Sequence, residues 1–307
     1  MRRMFFGKKP LLFSPNKLSG LIVPMVTPLN EDKTVDVFAL KVLSAHLLNK
    51  GIANLFVFGP YSEHEFVSLG ERKKFLEVMH AELEGKGVLL AGCFGKTTDE
   101  TIQLVQLSEK YTNLCVVSVP DEAKTNEVEF IDFFDSLFRH TNASFLLYND
   151  SVFSSPINPA WLDNIVNWER FFGLIDYSKN VDYIMSLAKY KQVTKLFEES
   201  KDLAFFVLRH GFAGLSCVSS IMFPSFYLTL ANSMEGFELR NLLHQEARVD
   251  EVKNSFPKGK RVSGLKYVLS LQGLIKPFCF DDSKELLEEE KQLIKKALLP
   301  EREALLR

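Results

Sequence analysis

The sequence lacks most of the short signatures that announce a metal or a cofactor. Its four cysteines, Cys93, Cys115, Cys217 and Cys279, form no CxxC pair and keep no zinc spacing. None of the six histidines has a partner at a ligand spacing such as HxxxH, so no metal is expected. The early stretch NLFVFGPYSEHE carries no GxGxxG, so a dinucleotide phosphate loop is not expected, nor any other cofactor. Neither sign of charge is in excess. With 37 basic and 39 acidic residues the net charge is -2, which gives no electrostatic case for nucleic acid or an anionic membrane. No apolar run approaches the roughly 18 residues that span a bilayer. The opening MRRMFFGKKPLLFSP starts basic but has no sustained apolar core and no small-residue cleavage site. It reads as a loosely docked extension, and a cytoplasmic chain with buried, reduced thiols is the expectation. Low-complexity linkers and sequence repeats are missing too.

What is present is an ordinary globular composition, 46% hydrophobic and 25% charged over 307 residues, enough for one large α/β domain or two modest ones. Phe is abundant at 27 residues and reads as bulky core filler rather than an aromatic binding surface. Short apolar runs recur at 20–27, 54–59, 87–92, 114–119, 144–148, 171–175, 193–197 and 213–218. They are nearly continuous in Val, Leu, Ile and Phe, as strands buried on both faces must be. Segments of helical spacing separate them, for example 36–48, 71–83, 99–111 and 127–140. Asp36 and Thr98 stand where side-chain oxygens can cap helix starts, and Asn158–Pro159 opens a further one.

Eight strand–helix alternations fit a (β/α)₈ TIM barrel, which takes about 250 residues. An open doubly wound sheet is the competing arrangement, and the missing glycine loop counts against it. From about residue 224 the pattern turns purely helical. The chain therefore divides into an N-terminal extension (1–17), a barrel (18–223), and the last barrel helix with a C-terminal helical extension (224–307).

Several stretches, in their order and spacing, carry a resemblance. They are LSGLIVPMVTPLNEDKTVD, GPYSEHEFVSLGER, LLAGCFGKTTDETIQLVQLSEKY, LLYND, GLIDYSKN and GFAGLSCVSSIMFP. Together they resemble the dihydrodipicolinate synthase and N-acetylneuraminate lyase family from about Leu18 to about Leu274. The resemblance implies a (β/α)₈ barrel with a C-terminal helical bundle and a class I aldolase acting on pyruvate. A lysine at the tip of the sixth strand would form an imine with the keto group. A tyrosine would move the proton.

Carried over residue by residue, the resemblance gives one retention and several departures. Tyr148 matches the family tyrosine. GLIDYSKN puts Ile175 at the lysine position, and a hydrocarbon branch cannot form an imine. Pro60 and Tyr61 stand where the family has paired threonines, and Pro60 has neither hydroxyl nor amide donor. Glu122 corresponds to a proton-relaying tyrosine, and Phe153 roughly to an arginine that holds a substrate carboxylate. Asp176 and, in the eighth-strand stretch, Ser216 complete the expected cleft lining. Asp176 beside Glu122 would make a new carboxylate pair at the mouth.

Two rescues of the amine are weighed. Lys179 follows the strand end, where a lysine is ordinarily a surface charge. Lys195 lies in the weak seventh run, whose short alternation does not fix its facing. Glu63, His64 and Glu65 cluster in one loop and read either as a cation or acid–base site or as a solvated turn. Two functional readings stay open. In the first, the chain lacks Schiff-base chemistry and keeps a cleft for a 2-keto acid or related small molecule, for binding, regulation or assembly. In the second, it is an active lyase rewired around Tyr148, Glu122 and Asp176, or one with a relocated lysine. A homo-oligomer is expected, with an active paralogue as a further partner.

Overall fold

A strand apolar on both faces needs cover on both sides, and closing the sheet on itself supplies it. The structure, a computed structural model, describes residues 18–149, 156–191, 195–198, 203–232 and 239–298. The strands are β1 (Gly20–Pro24), β2 (Asn54–Val57), β3 (Val88–Cys93), β4 (Leu114–Val117), β5 (Ser144–Asn149), β6 (Phe171–Asp176), β7 (Lys195–Glu198) and β8 (Gly214–Ser216). Each pairs in parallel with the next, and β8 pairs with β1, so the barrel is closed.

The two faces of each strand feed two separate cores. Ile22, Phe56, Leu90, Val116, Leu146, Tyr148, Ile175 and Phe197 fill the barrel interior. The alternate residues, such as Val23, Leu55, Cys115, Leu147 and Leu174, join the larger core between sheet and helices. Closure needs a close approach at the β8–β1 seam. A Cβ on Gly214 would lie 1.8 Å from the Gly20 carbonyl oxygen, so only glycine fits there. All four cysteines are buried and in no disulfide.

The helices that cover the barrel are α1 (Val37–Asn49), α2 (Leu69–Leu83), α3 (Thr98–Ser108), α4 (Glu127–His140), α5 (Val181–Leu187) and α6 (Ala204–Arg209). Asp36 caps α1 through the Ala39 amide, as expected. In α3 the cap is Thr97, whose hydroxyl accepts from the Glu100 amide, one residue earlier than the sequence reading. Phenylalanine largely does the expected work. Phe130, Phe133, Phe134 and Phe138 bury one face of α4, although Phe38 and Phe66 are exposed. One alternation is incomplete. Pro159 starts a single six-residue 3₁₀ segment, Pro159–Asn164, and among the described residues no α-helix joins β5 to β6. β6 then begins at Phe171.

Four further helices follow, α7 (Pro224–Asn232), α8 (Leu239–Asn254), α9 (Arg261–Leu271) and α10 (Glu288–Leu298). α10 packs on α8 and α9. Residues 1–17 lie outside the described residues.

Candidate active site

The C-terminal ends of the strands form the mouth of the barrel, and in this architecture reacting groups sit there. Tyr148 and Ile175 are register partners at the tips of β5 and β6. Both point into the barrel, and Ile175 is 0% exposed. Their surroundings are apolar and largely aromatic. The Tyr148 ring lies 5.4 Å from Phe94 and 6.3 Å from Phe56, and the His64 ring is 5.3 Å from Phe94. Ser216 belongs to the same interior, since it is the register partner of Ile22 at the tip of β8. Its Oγ is buried and has no hydrogen-bond partner among the described residues.

Neither alternative lysine is placed as a replacement amine at the tip of β6. Lys179 is exposed, in a left-handed conformation with φ 55°, and its ammonium lies 4.8 Å from the centroid of the Tyr177 ring. Lys195 alternates with the interior residue Phe197 and so shares its inward face. It pairs with Gly173, however, two residues below Ile175 and away from the mouth.

The expected carboxylate pair does not form. Glu122 sits in a 3₁₀ turn after β4 that turns it outward, and it is exposed. Its Oε1 accepts from the Thr98 amide at 2.8 Å and the Thr98 hydroxyl at 3.1 Å. The partial positive charge at the start of α3 favours a carboxylate at that place. Asp176 is wholly buried but follows inward-facing Ile175, so the strand alternation turns it to the outer side of the sheet. Asn149 Nδ2 donates to it at 2.6 Å and the Ser178 hydroxyl at 2.7 Å. Burial, with Asp176 nearby, raises the pKa of the Tyr183 phenol, which donates to the Ile157 carbonyl at 2.7 Å. Phe153 lies outside the described residues.

The loop after β2 departs most from a solvated turn. Phe58 and Glu63 both adopt left-handed backbone, at φ 58° and 53°, which is costly for side chains of this size. Pro60 is half-buried and Tyr61 buried. Thr27 donates to the Ser62 carbonyl at 2.7 Å and pins the loop to the one after β1. The Glu63 carboxylate meets the fully buried Lys266 ammonium of α9 at 2.5 Å and accepts the Phe280 amide at 2.8 Å. This ion pair joins barrel and C-terminal helices, so Glu63 is neither part of a solvated turn nor available to a cation or acid–base site. Among the described residues, no group of three or more His, Cys, Asp and Glu side chains comes together to hold a metal.

His64 is enclosed by the same loop. Burial, reinforced by the Arg72 guanidinium, lowers its imidazole from 6.5 to about 4. Between those values the unfolded chain binds a proton that the folded chain refuses. Stability therefore falls as the pH drops from 6.5 towards 4, by on the order of 3 kcal/mol in all, and levels off below. His64→Gln is expected to flatten that slope. Denaturation midpoints at about pH 7 and pH 4.5 check it, and the same slope in both proteins removes His64 as the cause.

Two functional-looking residues were not singled out by the sequence. Lys266 had a readable signal, a lone lysine inside the apolar run GLKYVL. Arg261 had none. It opens α9, yet its Nη1 donates to the Tyr61 hydroxyl at 3.2 Å and the Tyr177 hydroxyl at 3.4 Å.

The chain's similarities to known proteins agree with this architecture. An uncharacterized DapA-like lyase of Pyrococcus abyssi is 25% identical over 297 residues, covering 91% of this chain and 98% of its own. A 4-hydroxy-tetrahydrodipicolinate synthase of Ehrlichia canis is 22% identical over 290 residues, covering 92% and 97%. The dihydrodipicolinate synthase of Bacteroides thetaiotaomicron superposes with a TM-score of 0.85 at 25% identity, covering 92% of this chain and 98% of the other. The family profile described as the dihydrodipicolinate synthetase family matches residues 17–300. Closed parallel barrel, C-terminal helices and near full-length sequence match converge: the chain belongs to the dihydrodipicolinate synthetase family.

Proposed function

We propose that this family member has lost Schiff-base chemistry and keeps the barrel mouth as a binding site for a small carboxylate of the 2-keto acid kind. The observation that carries the reading is Ile175. It occupies the β6 tip opposite Tyr148, at the position that the resemblance of GLIDYSKN assigns to the family's reactive lysine, and it is buried among hydrocarbon and aromatic side chains. Imine formation needs a neutral primary amine at that place; Lys179 is drawn to the Tyr177 ring, and Lys195 stands on β7 two residues below the level of Ile175. Tyr148 without the amine has no imine proton to move, so its retention fits packing and ligand contact. The displaced carboxylates support the same reading, because Glu122 and Asp176 are each engaged away from the mouth.

The competing reading is an active lyase with a relocated amine, in line with the description of the Pyrococcus relative as a lyase. Reductive trapping separates the two. After incubation with pyruvate and borohydride, the mass of the intact chain is expected to stay unchanged. A pyruvate-derived lysine adduct, mapped to any residue lining the mouth, would end the first reading.

A further inference from the structure

Three strands separate β2 from β6 in either direction around the closed ring, so the loops that follow them leave the mouth on opposite sides. Tyr61 stands on the first loop and Tyr177 on the second. Both are buried, and one guanidinium joins them. Arg261 Nη1 donates to both phenol oxygens, and its Cζ lies 5.0 Å from the centroid of the Tyr61 ring. Arg261 comes from neither loop but from the start of α9. Three side chains from three elements thus form a bar across the mouth, above the β5 and β6 tips that carry Tyr148 and Ile175. Inside the barrel, at the tip of β8, Ser216 Oγ is buried and has no partner among the described residues. A buried hydroxyl left in that state points to an absent polar partner.

We propose that Arg261 recognises the carboxylate of a small ligand with an apolar tail, which displaces the Tyr61 and Tyr177 phenols from the guanidinium. The proposal rests on the reading that the mouth is kept for binding, and it names the residue and the ligand class. Phenols are neutral acceptors, held here at the long end of hydrogen-bond range. A carboxylate makes bidentate, charge-assisted bonds to a guanidinium that are roughly twice as strong. Arriving at the mouth, it takes the place of the phenols. The ligand's tail then faces Ile175, Phe56 and Phe197, which offer hydrocarbon and aromatic surface and no charge. A 2-oxo or hydroxyl oxygen next to the carboxylate gives Ser216 its partner.

Phenylpyruvate, acetate and inorganic phosphate titrated calorimetrically into the full-length chain test this. Phenylpyruvate is expected to bind at least about tenfold more tightly than acetate or phosphate. Arg261→Met is expected to weaken it by about tenfold or more, the value of one charge-assisted pair, and Arg261→Lys to restore part of the loss. The double variant Tyr61→Phe, Tyr177→Phe removes the competing acceptors and is expected to bind more tightly than the wild type. That variant keeps the test alive if Arg261→Met fails to fold. Unchanged affinity in a folded Arg261→Met overturns the role of Arg261 and leaves the binding reading standing. Phosphate equal to phenylpyruvate overturns the ligand class. No binding of any probe by the wild type overturns the inference and the retained cleft together.

Discussion

Lys266→Met is expected to lower the stability of the folded chain by about 3–5 kcal/mol, because it leaves the buried Glu63 carboxylate without its counter-charge. The ammonium of Lys266 is fully buried, lies 2.5 Å from Glu63 and donates to the Phe278 carbonyl at 2.8 Å. Glu63 in turn accepts the Phe280 amide, so a single ion pair holds the loop after β2, helix α9 and the 278–280 segment together. Neighbouring contacts reinforce the same strap. Lys33 donates to the Cys279 carbonyl at 2.8 Å and pairs with Asp282, and Lys260 donates to the Glu285 carbonyl at 2.9 Å. These outer contacts are partly exposed and contribute little singly. The buried pair behaves differently, since breaking it costs far more than replacing both partners. The double variant Glu63→Gln, Lys266→Met is therefore expected to be clearly more stable than Lys266→Met alone, because no charge is left buried. Urea denaturation of the wild type and both variants at constant slope decides this. A single variant within about 1 kcal/mol of the wild type would show that the joint does not depend on the pair.

Ile175→Lys is expected to give the barrel an amine that pyruvate can trap. The new side chain would leave the β6 tip opposite Tyr148, inside a shell that includes Phe56 and Phe197. Such surroundings disfavour the ammonium, so the lysine pKa falls and the neutral, nucleophilic form becomes populated near pH 7. Intact mass after pyruvate and borohydride then shows an adduct at residue 175 where the wild type shows none. The same burial costs stability, on the order of a few kcal/mol, which a lower melting temperature registers. A folded Ile175→Lys protein without adduct would mean that pyruvate no longer reaches the β6 tip. The loss would then lie in the mouth's access and not in a single residue. Tyr61 and Arg261 are the first places to look, because their hydrogen bond belongs to the bar above that tip.

The strands, most helix starts and the family could be read from the sequence because they depend on near neighbours. A run such as LCVVSV has no polar face to expose, and a capping oxygen acts on an amide two or three residues on, as Asp36 does for Ala39. Eight such runs in alternation leave few folds, and the inward set at Ile22, Phe56, Tyr148, Ile175 and Phe197 follows once the strands are placed. The local reading slipped where a turn sets a direction. Glu122 swings out to Thr98, and Asp176 is turned outward by the pleat that turns Ile175 in. What only the tertiary structure decided are contacts across long separations in the chain. Glu63 and Lys266 are 203 residues apart, Tyr61 and Arg261 200 apart. Such pairs leave no periodic trace, since their meeting depends on ring closure bringing β2 and β6 to opposite sides of one opening and on α9 starting over it. Residue types and spacing therefore specified the barrel and the hydrocarbon side chain of Ile175 at its sixth strand, while closure of the barrel and the docking of α9 together placed a guanidinium across its mouth.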